Sequence, residues 1–271
     1  MSTTTAHAKA AALLWQHWQA GTVLEALPAA LRPRDRAEGY AMQAQLPTVS
    51  DRRVVGWKIA ATSAAGQAHI QVDGPLAGRV LSGQVDADGA TVSLAGRRMR
   101  VAEPEFAFRF GHALAPRASA YEVGEVLEAV DALHPAIEVP DSRYADFARA
   151  GVAQLLADNA CAHRFVLGAD VSTNVDWRRI DLSTHAVTAE LIDAAGKQRT
   201  TRRGTGAAVL GDPRIALTWL VNELSSLGLT LARGQWVSTG TCMVPLEVLP
   251  GDAVRVDYGV LGRMSVRVSG D

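Results

Sequence analysis

The sequence predicts an α+β protein, with a small helical lobe over residues 1–50 and a β-rich body over residues 51–271. Three observations carry this reading. Apolar residues recur at helical spacing near the start and in one late segment. Runs rich in β-branched residues fill most of the remainder, and turn signals such as Asp88-Gly89 break them at short intervals. The first helix is predicted from about Ala6 to Ala20, through Ala11, Leu14, Trp15 and Trp18, with Gly21 as its cap. A second starts near Asp35 and reaches about Gln45. Arg52 to Ala60 reads as the first strand, and Leu76–Leu81, Thr91–Leu94 and Met99–Phe110 follow it.

Ser119 and Glu122 form a capping box ahead of a helix through Val130. His134–Val139 and Arg164–Leu167 are further strands. His185–Ile192 and Gln198–Arg203 flank Ala194-Ala195-Gly196 as a hairpin. Asp212 caps the one long late helix, with Pro213 in its first turn and Gly228 just past its end. From Trp236 to Val268 strands alternate with Gly turns. No repeat or low-complexity tract interrupts the order.

Composition narrows the function. The chain has 271 residues, 48% of them hydrophobic, and a formal net charge of -1. Nucleic-acid or anionic-membrane partners are not expected, since no basic stretch appears. Arg199, Arg202 and Arg203 form the densest basic cluster, which reads as a solvated hairpin. The two cysteines, Cys161 and Cys242, offer neither a disulfide framework nor a zinc motif and suit a reducing cytoplasm. The N-terminus lacks the basic start and apolar core of a secretion signal, and no stretch is long enough to span a bilayer. A cytoplasmic protein is expected. No glycine-rich nucleotide loop is present.

Glu103-Pro104-Glu105 lies inside a strand-like run, so alternation sends both carboxylates to one face and Phe106 and Phe108 to the other. Glu138 ends another apolar strand. Three carboxylates without His or Cys ligands suit a hard ion, Mg²⁺ or Mn²⁺ rather than Zn²⁺. The same pattern describes a solvated sheet face, and Pro104 marks an edge or a bulge. Spacing alone leaves both open. Lys58, inside the apolar first strand, must reach the surface or find a partner. The histidines are scattered, and His134, near Glu138, is the one to inspect. Cys242 reads as a buried small residue rather than a nucleophile.

Several motifs occur together and in order. They are Gly56-Trp57-Lys58-Ile59, Thr62-Ser63, Gln67, Val72-Asp73-Gly74-Pro75, Glu103-Pro104-Glu105, Pro135-Ala136-Ile137-Glu138, Asp141-Ser142-Arg143 and Asp158-Asn159-Ala160. As a set, covering nearly the whole chain, they resemble the 2-keto-4-pentenoate hydratase/4-oxalocrotonate decarboxylase family of the fumarylacetoacetate hydrolase superfamily. The chain departs from the family's habits at Ala60, Ala102, Cys161 and Cys242-Met243, none of them a presumed ligand.

The resemblance implies a mixed β-sheet roll or barrel behind the helical lobe. It implies Mg²⁺ or Mn²⁺ on Glu103, Glu105 and Glu138, with Lys58 as a positive group beside the substrate. Asp73 is either an acid/base or a turn former. Thr239, Gly240 and Thr241 would line the substrate pocket, with Ser63 and Gln67 either lining it or capping a short helix. The implied reaction hydrates a 2-hydroxy-2,4-dienoate to a 4-hydroxy-2-oxo acid, in the catabolism of aromatic compounds by meta-cleavage. The alternatives are a 4-oxalocrotonate-type decarboxylase, a C–C hydrolase of acylpyruvates, and a non-catalytic partner subunit. A dicarboxylate substrate would need one more cation, with Arg79, Arg109 and Arg143 as candidates. A ring-based homo-oligomer, with or without an associated pathway enzyme, is also implied, and Trp15 and Trp18 would either serve that interface or pack the lobe.

Overall fold

The computed structural model describes residues 3–271. Its front is helical: α1 (Thr3–Ala20), α2 (Arg36–Gln43) and α3 (Leu46–Ser50). Asp35 caps α2 by accepting from the Glu38 amide at 2.9 Å, an oxygen placed where the first turn's free N–H groups need an acceptor. Trp15 and Trp18 stack at 4.7 Å, and the Arg52 guanidinium lies 5.0 and 5.5 Å from their ring centroids. These tryptophans therefore pack the lobe against its own chain. Ala10, Leu14, Leu27, Met42, Tyr144 and Ala157 close a small separate core there.

The body then runs β1 (Val54–Ala60), α4 (Ala64–His69), β2 (Leu76–Leu81), β3 (Val85–Ala87), β4 (Thr91–Ser93) and β5 (Val101–Phe110). It continues with α5 (Val123–Glu128), β6 (Val130–Val139), α6 (Val152–Ala157), β7 (Arg164–Leu167), β8 (Ala186–Ile192) and β9 (Gln198–Thr205). The chain ends with α7 (Pro213–Ser226), β10 (Trp236–Thr241), β11 (Leu246–Glu247), β12 (Ala253–Asp257) and β13 (Arg263–Ser269). One sheet of eight strands has the order β2-β1-β10-β5-β6-β7-β3, with β11 also on β5. A second has the order β4-β13-β12-β8-β9. The main core lies between them and under α7, from Phe106 and Phe108 through Leu217 and Leu220 to Val254 and Val266.

The predicted α+β architecture holds, and the differences are local. The capping box forms one turn later than Ser119 allows. Glu122 is the N-cap of α5 and pairs reciprocally with Glu125, whose carboxylate Arg117 holds at 2.6 Å. Arg117 also bonds the carbonyls of Ser119 and Ala120, fixing them in the approach to the helix. Strand β6 starts at Val130, four residues before the predicted run, because it pairs along its length with β5. The short α3, α4 and α6 were invisible to periodicity; five or six residues do not complete two turns. No helix among the described residues is long and apolar enough to cross a membrane.

Candidate metal centre

Strands β5 and β6 run antiparallel with Glu103 directly opposite Glu138 and Glu105 opposite Ala136. Alternation brings the three acids to one face, and one carboxylate oxygen from each lies within 4.8 Å of the others. β10 lies on the other side of β5 and carries one extra residue, since Ser238 pairs with Ala107 and Thr241 with Glu105. That bulge is the irregularity Pro104 foreshadowed: the Cys242 amide reaches the Pro104 carbonyl at 2.9 Å beside it. It also turns the Gly240 amide onto Glu105 Oε2 at 3.0 Å, where the Ser238 hydroxyl donates as well. Gly240 has φ +105°, and a Cβ there would collide with Thr62, so no other residue fits.

The acids are buried and under-bonded. Glu105 and Glu138 are fully buried, and Glu105 Oε1 and both oxygens of Glu138 accept no hydrogen bond. Glu103 is partly open on the cavity wall. Burial first, then repulsion from Glu105, pushes the Glu103 carboxyl up to about 7, with Lys58 pulling against them. Burial drives Glu138 well above the usual carboxylate range, and raises Glu105 too. Leaving such oxygens unmatched is expensive. A divalent cation would resolve this, because it would satisfy the unmatched oxygens and remove the mutual repulsion in one step. All-oxygen donors fit a hard ion, and three monodentate carboxylates would leave about three octahedral positions for substrate and water.

Lys58 on β1 reaches the same face. Its Nζ is 3.1 Å from Glu138 Oε1 and donates to the Ala160 carbonyl at 3.1 Å. Burial alone would lower its pKa; attraction to Glu138, Glu103 and Glu105 outweighs that and leaves it raised, so the ammonium stays charged. Two backbone features place it. Gly78, its partner on β2, leaves room for the lysine stem, since a Cβ there would lie 2.5 Å from the Asn159 carbonyl oxygen. Asn159, Ala160 and Cys161 all have positive φ, from 51° to 61°, an unfavourable run for residues with a Cβ. The Asn159 side chain pins that turn by bonding both the N–H and the C=O of Arg79, each at 2.7 Å.

Glu103, Glu105 and Lys58 border a cavity of about 640 Å³, with Glu138 buried behind them, and it is otherwise walled by residues such as Ile59, Ile70, Met99, Phe147 and Met243. Ser63, Gly240 and Thr241 line it. Ser63 also caps α4, accepting from the Gly66 amide at 3.1 Å. Gln67 donates to the Ala61 carbonyl at 3.0 Å and Thr239 to that of Phe106 at 2.9 Å; both support the wall from behind. Asp73 is not brought to the site: its side chain is 89% exposed, 3.5 Å from Arg36, in its turn. Ser238 and Tyr258 escaped the sequence reading. The Tyr258 hydroxyl accepts from the Glu105 amide at 3.0 Å and donates to the Ala136 carbonyl at 2.7 Å, tying the two ligand strands together. Only the small polar run from Ser238 to Thr241 hinted at the first, and nothing local hinted at Tyr258.

The other candidates fall away from the acids. His134 is satisfied by the Gly168 carbonyl at 2.9 Å. The Cys242 thiol is buried, faces the Pro104 carbonyl at 3.1 Å, and has its pKa raised by burial, so it is no nucleophile. Arg79 bonds Gln43 and covers Trp57, Arg109 pairs with Asp131 at 2.8 Å, and Arg143 pairs with Asp158; none lines the cavity. Of the hairpin arginines, Arg199 and Arg203 are exposed, as expected, and Arg202 is partly buried. Arg199 pairs with Asp252 at 2.6 Å, Arg202 bonds the carbonyls of Val244 and Pro245, and Arg203 lines the cavity.

Comparison with known proteins bears on the family and the fold. No family model matches the chain. A 2-keto-4-pentenoate hydratase of Paraburkholderia xenovorans LB400 is 32% identical over 94% of this chain and 91% of its own. A 4-oxalocrotonate decarboxylase of Pseudomonas sp. CF600 is 31% identical over 85% and 84%. Among solved structures, the 4-oxalocrotonate decarboxylase from Pseudomonas putida G7, complexed with magnesium and adipate, superposes with a TM-score of 0.85 over 99% of both chains at 26% identity. A fumarylpyruvate hydrolase from Pseudomonas aeruginosa, in complex with Mn²⁺ and pyruvate, shares the fold at a TM-score of 0.55 and 14% identity, covering 81% of this chain and 90% of its own. With relatives above 30% identity along most of its length, the chain belongs to the 2-keto-4-pentenoate hydratase/4-oxalocrotonate decarboxylase family.

Proposed function

We propose that the protein is a divalent-metal-dependent hydratase that converts a 2-hydroxy-2,4-dienoate into a 4-hydroxy-2-oxo acid. The observation that carries this is the carboxylate triad, in which Glu105 Oε1 and Glu138 Oε2 have no partner and Glu138 Oε1 has only the ion pair with Lys58. Glu103, Glu105 and Glu138 would hold Mg²⁺ or Mn²⁺, and the ion would supply a positive centre for the acid's carboxylate and 2-oxygen.

The chain's own groups do the rest. Lys58 presents a second positive charge, where it donates to negative oxygen on the substrate. Ser238 and the Gly240 amide hold Glu105 in one orientation, and the apolar wall excludes bulk water. In the reaction itself a proton moves from the 2-hydroxyl to C5, giving the conjugated 2-oxo acid. Water then adds its hydroxyl to C4 and its proton to C3. Asp73 can exchange a proton with substrate only in a conformation that folds its turn over the cavity.

The hydratase relative named above and two more from Dechloromonas aromatica align over 94% of the chain, which favours hydration. Decarboxylation is the second reading, favoured by the full-length superposition on the Pseudomonas putida enzyme. The test offers dienols to the purified protein with Mg²⁺ or Mn²⁺ and follows both ultraviolet absorbance and CO₂. Absorbance loss without CO₂ supports hydration; stoichiometric CO₂ supports the second reading. Activity that survives both a chelator and Glu105→Gln would exclude the metal site. A ring-based homo-oligomer belongs to the same proposal, and sedimentation velocity checks it.

A further inference from the structure

Three basic residues line the cavity: Lys58, His69 and Arg203. Lys58, held by Glu138 and the Ala160 carbonyl, serves the end of the cavity at the triad, and the His69 ring packs edge-on to Phe147 at 5.7 Å. Arg203 makes no hydrogen bond or ion pair with any described residue, while its neighbours hold its backbone firmly. Arg202 bonds the carbonyls of Val244 and Pro245 on the cavity rim. Gly204 packs so closely on Cys242 that no Cβ fits. Arg203 is thus an exposed guanidinium on the cavity wall, its side chain without a partner among the described residues, and Met243 and Val244 share that wall.

We propose that Arg203 binds a second, distal carboxylate of the substrate, so that the site prefers a 2-oxo or 2-hydroxydienoic acid with an anionic far end over a monocarboxylate. The proposal rests on the triad as anchor of the near end. A hydrocarbon tail gains nothing from a guanidinium, whereas a carboxylate pairs with it through two parallel hydrogen bonds. The cavity's size is that of a site for a ligand well beyond five carbons. None of the arginines the sequence offered for this task lines the cavity.

The test is calorimetric binding of 2-oxoadipate and 2-oxohexanoate, equal in length and differing in the far carboxylate, to the Mg²⁺- or Mn²⁺-loaded protein. The wild type is expected to favour 2-oxoadipate by about tenfold, the scale of a partly exposed bidentate pair. Arg203→Met should bring the ratio close to one and Arg203→Lys should restore part of it, with thermal midpoints confirming that both variants fold. A wild-type ratio near one, or a ratio unchanged in Arg203→Met, overturns the proposal. The triad is judged separately by repeating the titration with a chelator. Selectivity that persists without metal keeps Arg203 and removes the triad; metal-dependent binding without selectivity does the reverse. Failure of both ligands to bind overturns both.

Discussion

Two clusters of buried charge meet at the same turn of backbone, and the fold treats them in opposite ways. Around Asp158 nearly everything is answered. Its carboxylate accepts from the Arg143 guanidinium, the Arg143 amide at 3.0 Å and the Ser142 hydroxyl at 2.7 Å, leaving one guanidinium nitrogen without a partner. Burial raises the Asp158 carboxyl as well, but Arg143 and Ser142 pull against it. Around Glu138 three carboxylates share one lysine, and three of their oxygens accept nothing. Burial is common to both. What separates a structural ion pair from a site is the unanswered capacity to bind.

Removing a member should therefore have opposite consequences. Glu138→Gln is expected to lower kcat/KM about 1,000-fold, the scale of a lost metal centre, while the metal-free thermal midpoint holds or rises. A midpoint that falls as far as that of Asp158→Asn would break the comparison. Asp158→Asn strands a buried guanidinium and should cost about 3–5 kcal/mol in urea unfolding.

A pH series sharpens the contrast. The folded Glu103 carboxyl titrates at about 7 and the unfolded one near 4.5, so the folded state binds more protons between those values. The Glu103 contribution to metal-free stability should accordingly be fully present below 4.5 and be lost as pH rises through 7. Glu103→Gln should flatten that decline, as read by urea midpoints at pH 5.5 and 8, and added Mg²⁺ should oppose it by favouring the charged form. The smallest effect is expected at Asp73. Its exposure predicts less than a threefold change in kcat/KM for Asp73→Asn; a loss of tenfold or more would put its turn over the cavity during turnover.

Much of this was legible in the chain, for identifiable reasons. Alternation alone put Glu103 and Glu105 on one face, and the ordered motifs joined them to Glu138 and Lys58. Ser63 was read as either a helix cap or a pocket residue; it caps α4 and also lies on the cavity wall. The partners that make the acids a site were hidden because they are distant in sequence. Tyr258 lies 153 residues from Glu105 and Ser238 lies 133, and only sheet order brings them together. Arg203 was read as solvated, and it is exposed; its place beside the cavity was hidden because sequence cannot show which residues of a hairpin meet a wall built by β10 and α4. The Glu122 cap was displaced by a single turn, within the reach of one arginine.

The left-handed turn at Asn159–Cys161 has a bearing on the order of assembly. Lys58 finds its carbonyl acceptor 102 residues away, and that acceptor is oriented only once Asn159 has docked on β2. Contacts of such separation form late, because chain must be closed over long loops before they are rewarded. A refolding chain should thus recover its sheet before it recovers its grip on the ion: far-ultraviolet dichroism would lead, and Mn²⁺ binding would trail it.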